Sequence, residues 1–283
     1  MKYFRHTQGA YAYYRTATAR LIQQSINPLI QTSPMHPNLK LENIRNVLIR
    51  QEETIIFALV ERAQFKQNKI IYEKAGIKLP NFDGSFLDYI LRGTEALHST
   101  IRRYTSPDEH PFFKNLPEPV LPIDAYDFPI KKTDVNINDR IKEIYINNIV
   151  PEVCEEGDDG QYGSSALCDL AALQALSKRI HYGKFVAESK FLSDKEAYIS
   201  LIKAKDKDGI MEKITNKAVE EKLLKRVALK AATYGREIDV TTSEPETQNQ
   251  KICPNLVVDI YKKWLIPLTK EVEVEYLLAR GNG

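Results

Sequence analysis

Arg179 and Lys190 are two cations eleven residues apart in the run 177–190, Ser-Lys-Arg-Ile-His-Tyr-Gly-Lys-Phe-Val-Ala-Glu-Ser-Lys. The run reads as helix. At 100° per residue, eleven steps make three turns plus about 20°, so both charges share one face, about 16 Å apart along the axis. Ile180, Phe185, Val186 and Ala187 lie between them and should pack into protein. Two cations on a largely buried face suit a small ligand with two negative groups. Other polar residues also stand on helix sides that are otherwise apolar. Arg45 follows Ile44, Asn216 and Glu220 are spaced i, i+4, and so are Thr269 and Glu273 just past Pro267. Residues four apart are neighbours on a helix. Buried charges without partners cost several kcal/mol each. Converging helices of this kind therefore imply either a polar core network or a pocket for a charged ligand.

Most familiar chemical signatures are missing. The sequence has no Gly-rich phosphate loop, no H-E-x-x-H, no G-x-S-x-G and no Cys/His metal spacing. No cofactor and no metal are expected. Asp206-Lys207-Asp208-Gly209 lacks the later ligands of a calcium loop and reads as a helix-start turn. His181 has no nucleophile partner in sequence and reads as a packed helix histidine. Lys222, Lys225, Arg226 and Lys230 look basic, but Glu220 and Glu221 sit beside them on the helix, which reads as a solvated, salt-bridged face.

The elements that must position these residues are helical throughout. The 283 residues are 43% hydrophobic, enough for a large core. Forty basic and 38 acidic residues leave a net charge of +2, which gives no nucleic-acid or membrane field. No apolar run approaches the length of a membrane-spanning helix. Cys154, Cys168 and Cys253 are an odd, sparse set without C-x-x-C spacing, as in reduced intracellular proteins. The first 41 residues contain no Asp or Glu. We read residues 1–38 as an N-terminal extension, disordered on a cytoplasmic protein or, alternatively, a plastid transit segment.

Apolar residues recur with helical period from Asn38 to about Gln67, interrupted by Arg45 and Arg62. Gly84-Ser85 predicts the cap of a second helix, with Phe86, Leu87, Ile90, Leu91, Leu97 and Ile101 on its apolar side. Six prolines between 105 and 135 predict a long surface loop. Helix resumes near Asn136 and fades by Cys154. An acidic, Gly-punctuated loop spans 155–163. Ser164 or Ser165 should cap a long helix carrying both Arg179 and Lys190 to about Phe191. Shorter helices are expected at 194–204 and 207–214, then one from Asn216 to Tyr234 with Gly235 as a C′ residue. Residues 236–252 read as polar loop. Pro254 opens a last helix, kinked by Pro267 and ending before Gly281. The fold class is all-α, one domain of long helices over 39–281.

Seven ordered stretches carry a family resemblance. They are Asn43 to Glu52, Ile101-Arg102-Arg103, Ser106 to Phe113, Gly157 to Ser164, the 177–190 run, Lys217 to Lys222, and Ile266 to Leu278. Over residues 39–280 the chain resembles the all-helical, allosteric chorismate mutases of fungi and plants. The resemblance implies a homodimer that isomerises chorismate to prephenate on the way to Phe and Tyr, without a cofactor. Carried over position by position, it implies an active site of Arg45, Arg179, Lys190, Asn216, Glu220, Thr269 and Glu273. The alternative is a non-catalytic helical regulatory or interaction protein on the same scaffold.

The implied reaction is a concerted [3,3] rearrangement. An enzyme need only hold the reactive diaxial chair and stabilise charge on the breaking ether oxygen. Arg45 and Arg179 suit the two substrate carboxylates. Lys190 can donate to the ether oxygen, and Glu273 must be protonated to do the same. The resemblance also implies an effector site for aromatic amino acids (Tyr and Trp, with Phe a further candidate) at Arg102, Arg103, Gly163 and Ser164. Leu167 and Cys253 stand where fungal relatives carry threonines, and the acidic loop looks more plant-like.

Overall fold

The computed structural model describes residues 39–122, 129–236 and 250–281. The predicted extension at 1–38 lies outside them, and so does most of the predicted polar loop at 236–252. The described residues are helical, with no strand among them and one isolated bridge pairing Arg236 with Gln250. No helix among them is long and apolar enough to cross a membrane.

The helices are α1 (Leu41–Ala63), α2 (Phe86–Thr100), α3 (Asn138–Ile144) and α4 (Val150–Val153), with a π-turn at Tyr145–Ile149 between the last two. Then come α5 (Tyr162–His181), α6 (Gly183–Ser193), α7 (Lys195–Ala204), α8 (Lys207–Ile214) and α9 (Lys217–Tyr234). The last two are α10 (Pro254–Ile260) and α11 (Ile266–Arg280), joined by a π-turn at Tyr261–Leu265. The most extensive helix contacts are α1 on α5 and α6 on α11. One apolar core lies among α1, α2, α5 and α10, built from residues such as Ile56, Leu59, Leu91, Leu173 and Val257. A second lies among α6, α7, α8 and α11, with Phe185, Tyr198, Ile210 and Leu277.

Several local expectations hold. Ser85 caps α2 through a reciprocal pair with Asp88. Asp206 accepts from the Gly209 amide as an ordinary N-cap. Four expectations are corrected. Neither Ser164 nor Ser165 caps α5, which starts at Tyr162 after Gln161. Leu97 and Ile101 are 65% and 54% exposed, so α2 buries a narrower face than its sequence suggests. Gly235 sits at φ −79°, in the right-handed region rather than the left-handed one. The long helix carrying Arg179 and Lys190 is two helices, interrupted at Tyr182. Tyr182 keeps helical dihedrals of −61° and −14°, which leaves both cations turned toward α11.

The Pro267 kink takes the form of the π-turn. A proline ring clashes with the carbonyl four residues back and offers no N–H to it. The preceding turn widens, and the Ile266 amide donates to Tyr261 O, five residues back. The same arrangement precedes Pro151, where the Val150 amide donates to Tyr145 O.

The proline-rich segment is pinned to the helices at several points. Buried Glu95 accepts from the Phe112 and Phe113 amides at 2.8 and 3.0 Å. Asn138 Nδ2 donates to the carbonyls of His110 and Pro111. Lys184 Nζ, itself buried, reaches Val135 O at 2.6 Å and His110 Nε2 at 2.8 Å. His181, read as a packed residue, is buried and accepts from the Ile137 amide. Arg62, which interrupts the apolar pattern of α1, is buried against Asp169 at 2.6 Å and donates to the carbonyls of Phe65, Lys66 and Gln67.

Candidate active site

Thr269 and Glu273 lie one turn apart on α11, both buried. Thr269 Oγ1 donates to Leu265 O, inside the π-turn, at 2.7 Å. Arg179 enters from the last turn of α5 and its Nη1 lies 3.4 Å from Thr269 Oγ1. Lys190 enters from the last turn of α6. Its Nζ donates to Glu273 Oε2 at 2.9 Å and to Ile214 O at 2.7 Å. Four of the seven sequence-derived residues thus meet from three helices, with two cations facing one carboxyl group.

The remaining three sit around this cluster. Asn216 is exposed and caps α9, its Oδ1 accepting from the Val219 amide at 3.2 Å. That leaves its Nδ2 group available to a ligand. Glu220 pairs with Lys270, next to Thr269, at 3.0 Å. Arg45 lies on the exposed side of α1 and makes no hydrogen bond or ion pair with the other six among the described residues.

Burial sets the electrostatics. Desolvation pushes the Glu273 pKa up, against the opposing pull of Lys190, Arg179 and Lys270. Desolvation lowers that of Arg179, offset by Tyr261, Glu52 and Glu273. Arg179 Nε and the Tyr261 hydroxyl are buried without a hydrogen-bond partner. A guanidinium buried this way attracts an anion, because an unpaired buried donor costs about 1–3 kcal/mol or more when charged.

Sequence reasoning missed the groups that surround Arg179. Glu52, fully buried on α1, takes a bidentate pair from Arg226 at 2.8 and 2.6 Å and a third contact from Lys230 at 3.3 Å. Arg226 and Lys230 therefore do not belong to the solvated face assigned to them. Their partner is another helix, not Glu220 or Glu221. One signal was available: Glu52 follows Arg45 by seven residues, two helical turns.

The second constellation is spread out. Arg102 donates to Pro122 O, and Arg103 holds Glu109 at 3.0 Å and Gln174 at 2.9 Å. Gly163 and Ser164 are exposed in the first turn of α5. Gln174 lies ten residues after Ser164, about 15 Å along the helix.

Comparison with known proteins gives consistent matches. Residues 161–274 match the family described as chorismate mutase type II. A chorismate mutase of Schizosaccharomyces pombe is 50% identical over 252 residues, covering 88% of this chain and 99% of the relative. The Candida albicans chorismate mutase in complex with L-Trp superposes with a TM-score of 0.80 at 46% identity, covering 86% of this chain and 92% of that one. The enzyme AtCM1 with phenylalanine bound in its allosteric site gives a TM-score of 0.79 at 48% identity, over 88% and 98% of the chains. The same enzyme is also solved with tyrosine bound there.

Proposed function

The chain belongs to the chorismate mutases and rearranges chorismate to prephenate, and from that premise we propose that Arg45, Arg179, Lys190, Asn216, Glu220, Thr269 and Glu273 form its active site. The observation that carries the proposal is the Lys190–Glu273 contact at 2.9 Å, beside Arg179 and Thr269 on one side of α11.

The geometry supports a division of labour. Arg179, buried with an unpaired Nε, receives one substrate carboxylate. Arg45 reaches over from α1 for the other. The ether oxygen enters between Lys190 and Glu273, displacing their mutual contact. As the C–O bond breaks, negative charge grows on that oxygen, and both side chains donate to it. Glu273 can do so only as a carboxylic acid, which its raised pKa favours. Asn216, Glu220 and Thr269 hold the hydroxyl and carboxylate ends. Pre-positioning of a single flexible substrate supplies much of the acceleration, since no covalent step is involved. The test is the initial rate of chorismate loss by purified protein, with and without Tyr, Phe or Trp.

We further propose that the protein is a homodimer regulated by aromatic amino acids. In one chain, Arg102 and Arg103 stand well apart from Gly163 and Ser164. A two-fold partner offers a way to bring the arginines of one subunit to the helix start of the other. There an effector carboxylate meets free first-turn N–H groups. Exposed Leu97 on α2, Ile101 just past its end and Leu167 on α5 supply apolar area for such a contact. Arg102→Ala with Arg103→Ala is expected to keep basal turnover and to abolish the response to Tyr, Trp and Phe. An unchanged response in rate assays refutes the assignment.

The catalytic unit is proposed as 39–281 and the location as the cytoplasm, with the plastid as alternative should residues 1–38 act as a transit segment. The apolar residues of the first periodic helix begin at Leu41, after the extension, which supports the boundary. Removal of residues 1–38 is expected to leave kcat unchanged. Loss of activity would place part of the extension in the catalytic unit.

A further inference from the structure

Three contacts tie α6 to α11 beside the proposed active site. Gly183 opens α6 with its Cα close against α11. A Cβ built there would lie 3.0 Å from Thr269 O, 3.1 Å from Thr269 Cγ2 and 3.3 Å from Glu273 Cγ. The first of these is helix backbone, so an added methyl group displaces α11 itself. Lys190 reaches Glu273. On the far side, Glu188 is buried and fully engaged. Its Oε2 accepts from Tyr276 Oη at 2.7 Å and from Arg280 Nε at 2.8 Å, and its Oε1 accepts from Arg280 Nη2 at 3.0 Å. The Arg280 guanidinium also lies 3.6 Å over the Phe191 ring, and Tyr276 Oη accepts from the Lys131 amide at 3.1 Å.

We propose that Gly183 and the Glu188–Arg280 pair are positioning residues for the rearrangement, setting the distance and register of α6 against α11. Gly183 sets the distance. Only a residue without Cβ lets α6 start this close to Thr269 and Glu273. The Glu188–Arg280 pair sets the register. A bidentate carboxylate–guanidinium contact tolerates little sliding, and Tyr276 adds a second anchor one turn earlier on α11. Glu188 is two residues from Lys190, and Arg280 is seven from Glu273, so a slip at one pair is transmitted to the other. The proposal rests on the active-site reading given above.

The test compares three proteins with wild type: Lys190→Ala, Gly183→Ala, and the double variant Glu188→Leu with Arg280→Met. Replacing both partners of a buried ion pair by apolar residues preserves stability in many proteins. A methyl group at residue 183 displaces α11 by a few tenths of an ångström. A misplacement of about 1 Å costs on the order of 100-fold in rate, so both α6 variants are expected to lose about tenfold in kcat. KM is expected within about twofold of wild type, because the guanidinium group that receives the carboxylate is untouched. Thermal midpoints recorded alongside separate this from general loosening. Wild-type kcat in both folded α6 variants, with Lys190→Ala inactive, overturns this proposal alone. Full activity in Lys190→Ala overturns the site reading and this proposal with it. Should one α6 variant fail to fold, the other decides.

Discussion

Lys190→Ala is expected to lose 10²- to 10³-fold in kcat while remaining folded. The loss corresponds to about 3–4 kcal/mol, the usual effect of removing one donor to a developing oxyanion. Lys190 is only partly buried, and its contacts are Glu273 Oε2 and Ile214 O. Truncation frees a carbonyl at the end of α8 and leaves Glu273 without its cation. Neither change removes a core side chain, so the fold survives. Glu273, losing its main opposing charge, becomes still easier to protonate. The variant thus keeps one of its two donors, which bounds the loss. The measurement is kcat by chorismate consumption, with circular dichroism to verify folding. Retention of more than about a third of wild-type kcat refutes the role of Lys190.

The second large effect is expected in the pH dependence of Glu273→Gln. Burial raises the Glu273 pKa, so the acid form persists to higher pH than in an exposed glutamate. Wild-type kcat is present while this group is protonated and falls as pH rises through the raised pKa in the substrate complex. Substrate carboxylates add negative charge nearby and push the same way. Glutamine presents an N–H donor at every pH. The variant is expected to hold its rate at alkaline pH, where wild type declines, even with a lower maximum. Profiles of kcat against pH for both proteins decide. Parallel profiles would mean that Glu273 is not the titrating donor.

Local features of this fold were legible in the sequence. The Ser85 cap, the start of a helix at about Asn216 and the start of α10 at Pro254 all follow from residue types at fixed offsets. The common face of Arg179 and Lys190 was also legible, although one helix became two, because Tyr182 preserves the helical phase. Partner choice at a distance was not legible. Arg62 finds Asp169 at a separation of 107 residues, and Arg226 finds Glu52 at 174. Periodicity reports which side of a helix is buried, not which charge waits on the next helix. Arg226 looked solvated because acidic residues precede it on its own helix. The exposure of Leu97 and Ile101 escaped for a related reason: an apolar stripe marks a surface to be covered without saying whether the same chain covers it.

The π-turn at Tyr261–Leu265 sets the angular frame of the active site. Its hydrogen bond spans five residues instead of four, so it holds one residue more than a regular helical turn. One residue is worth about 100° of rotation. Val257 and Ile260, upstream, are buried in the first core. Thr269 and Glu273, downstream, face Arg179 and Lys190. Winding the same residues as a regular helix, with none removed, would add that rotation downstream of the turn. With α10 anchored by its core residues, the rewound helix would carry Thr269 and Glu273 about a quarter-turn away from their partners. The widened turn acts like slack taken up in a thread: it absorbs one residue, so a single deletion within it leaves the site in phase, whereas an insertion or deletion in a regular turn of α11 shifts everything downstream.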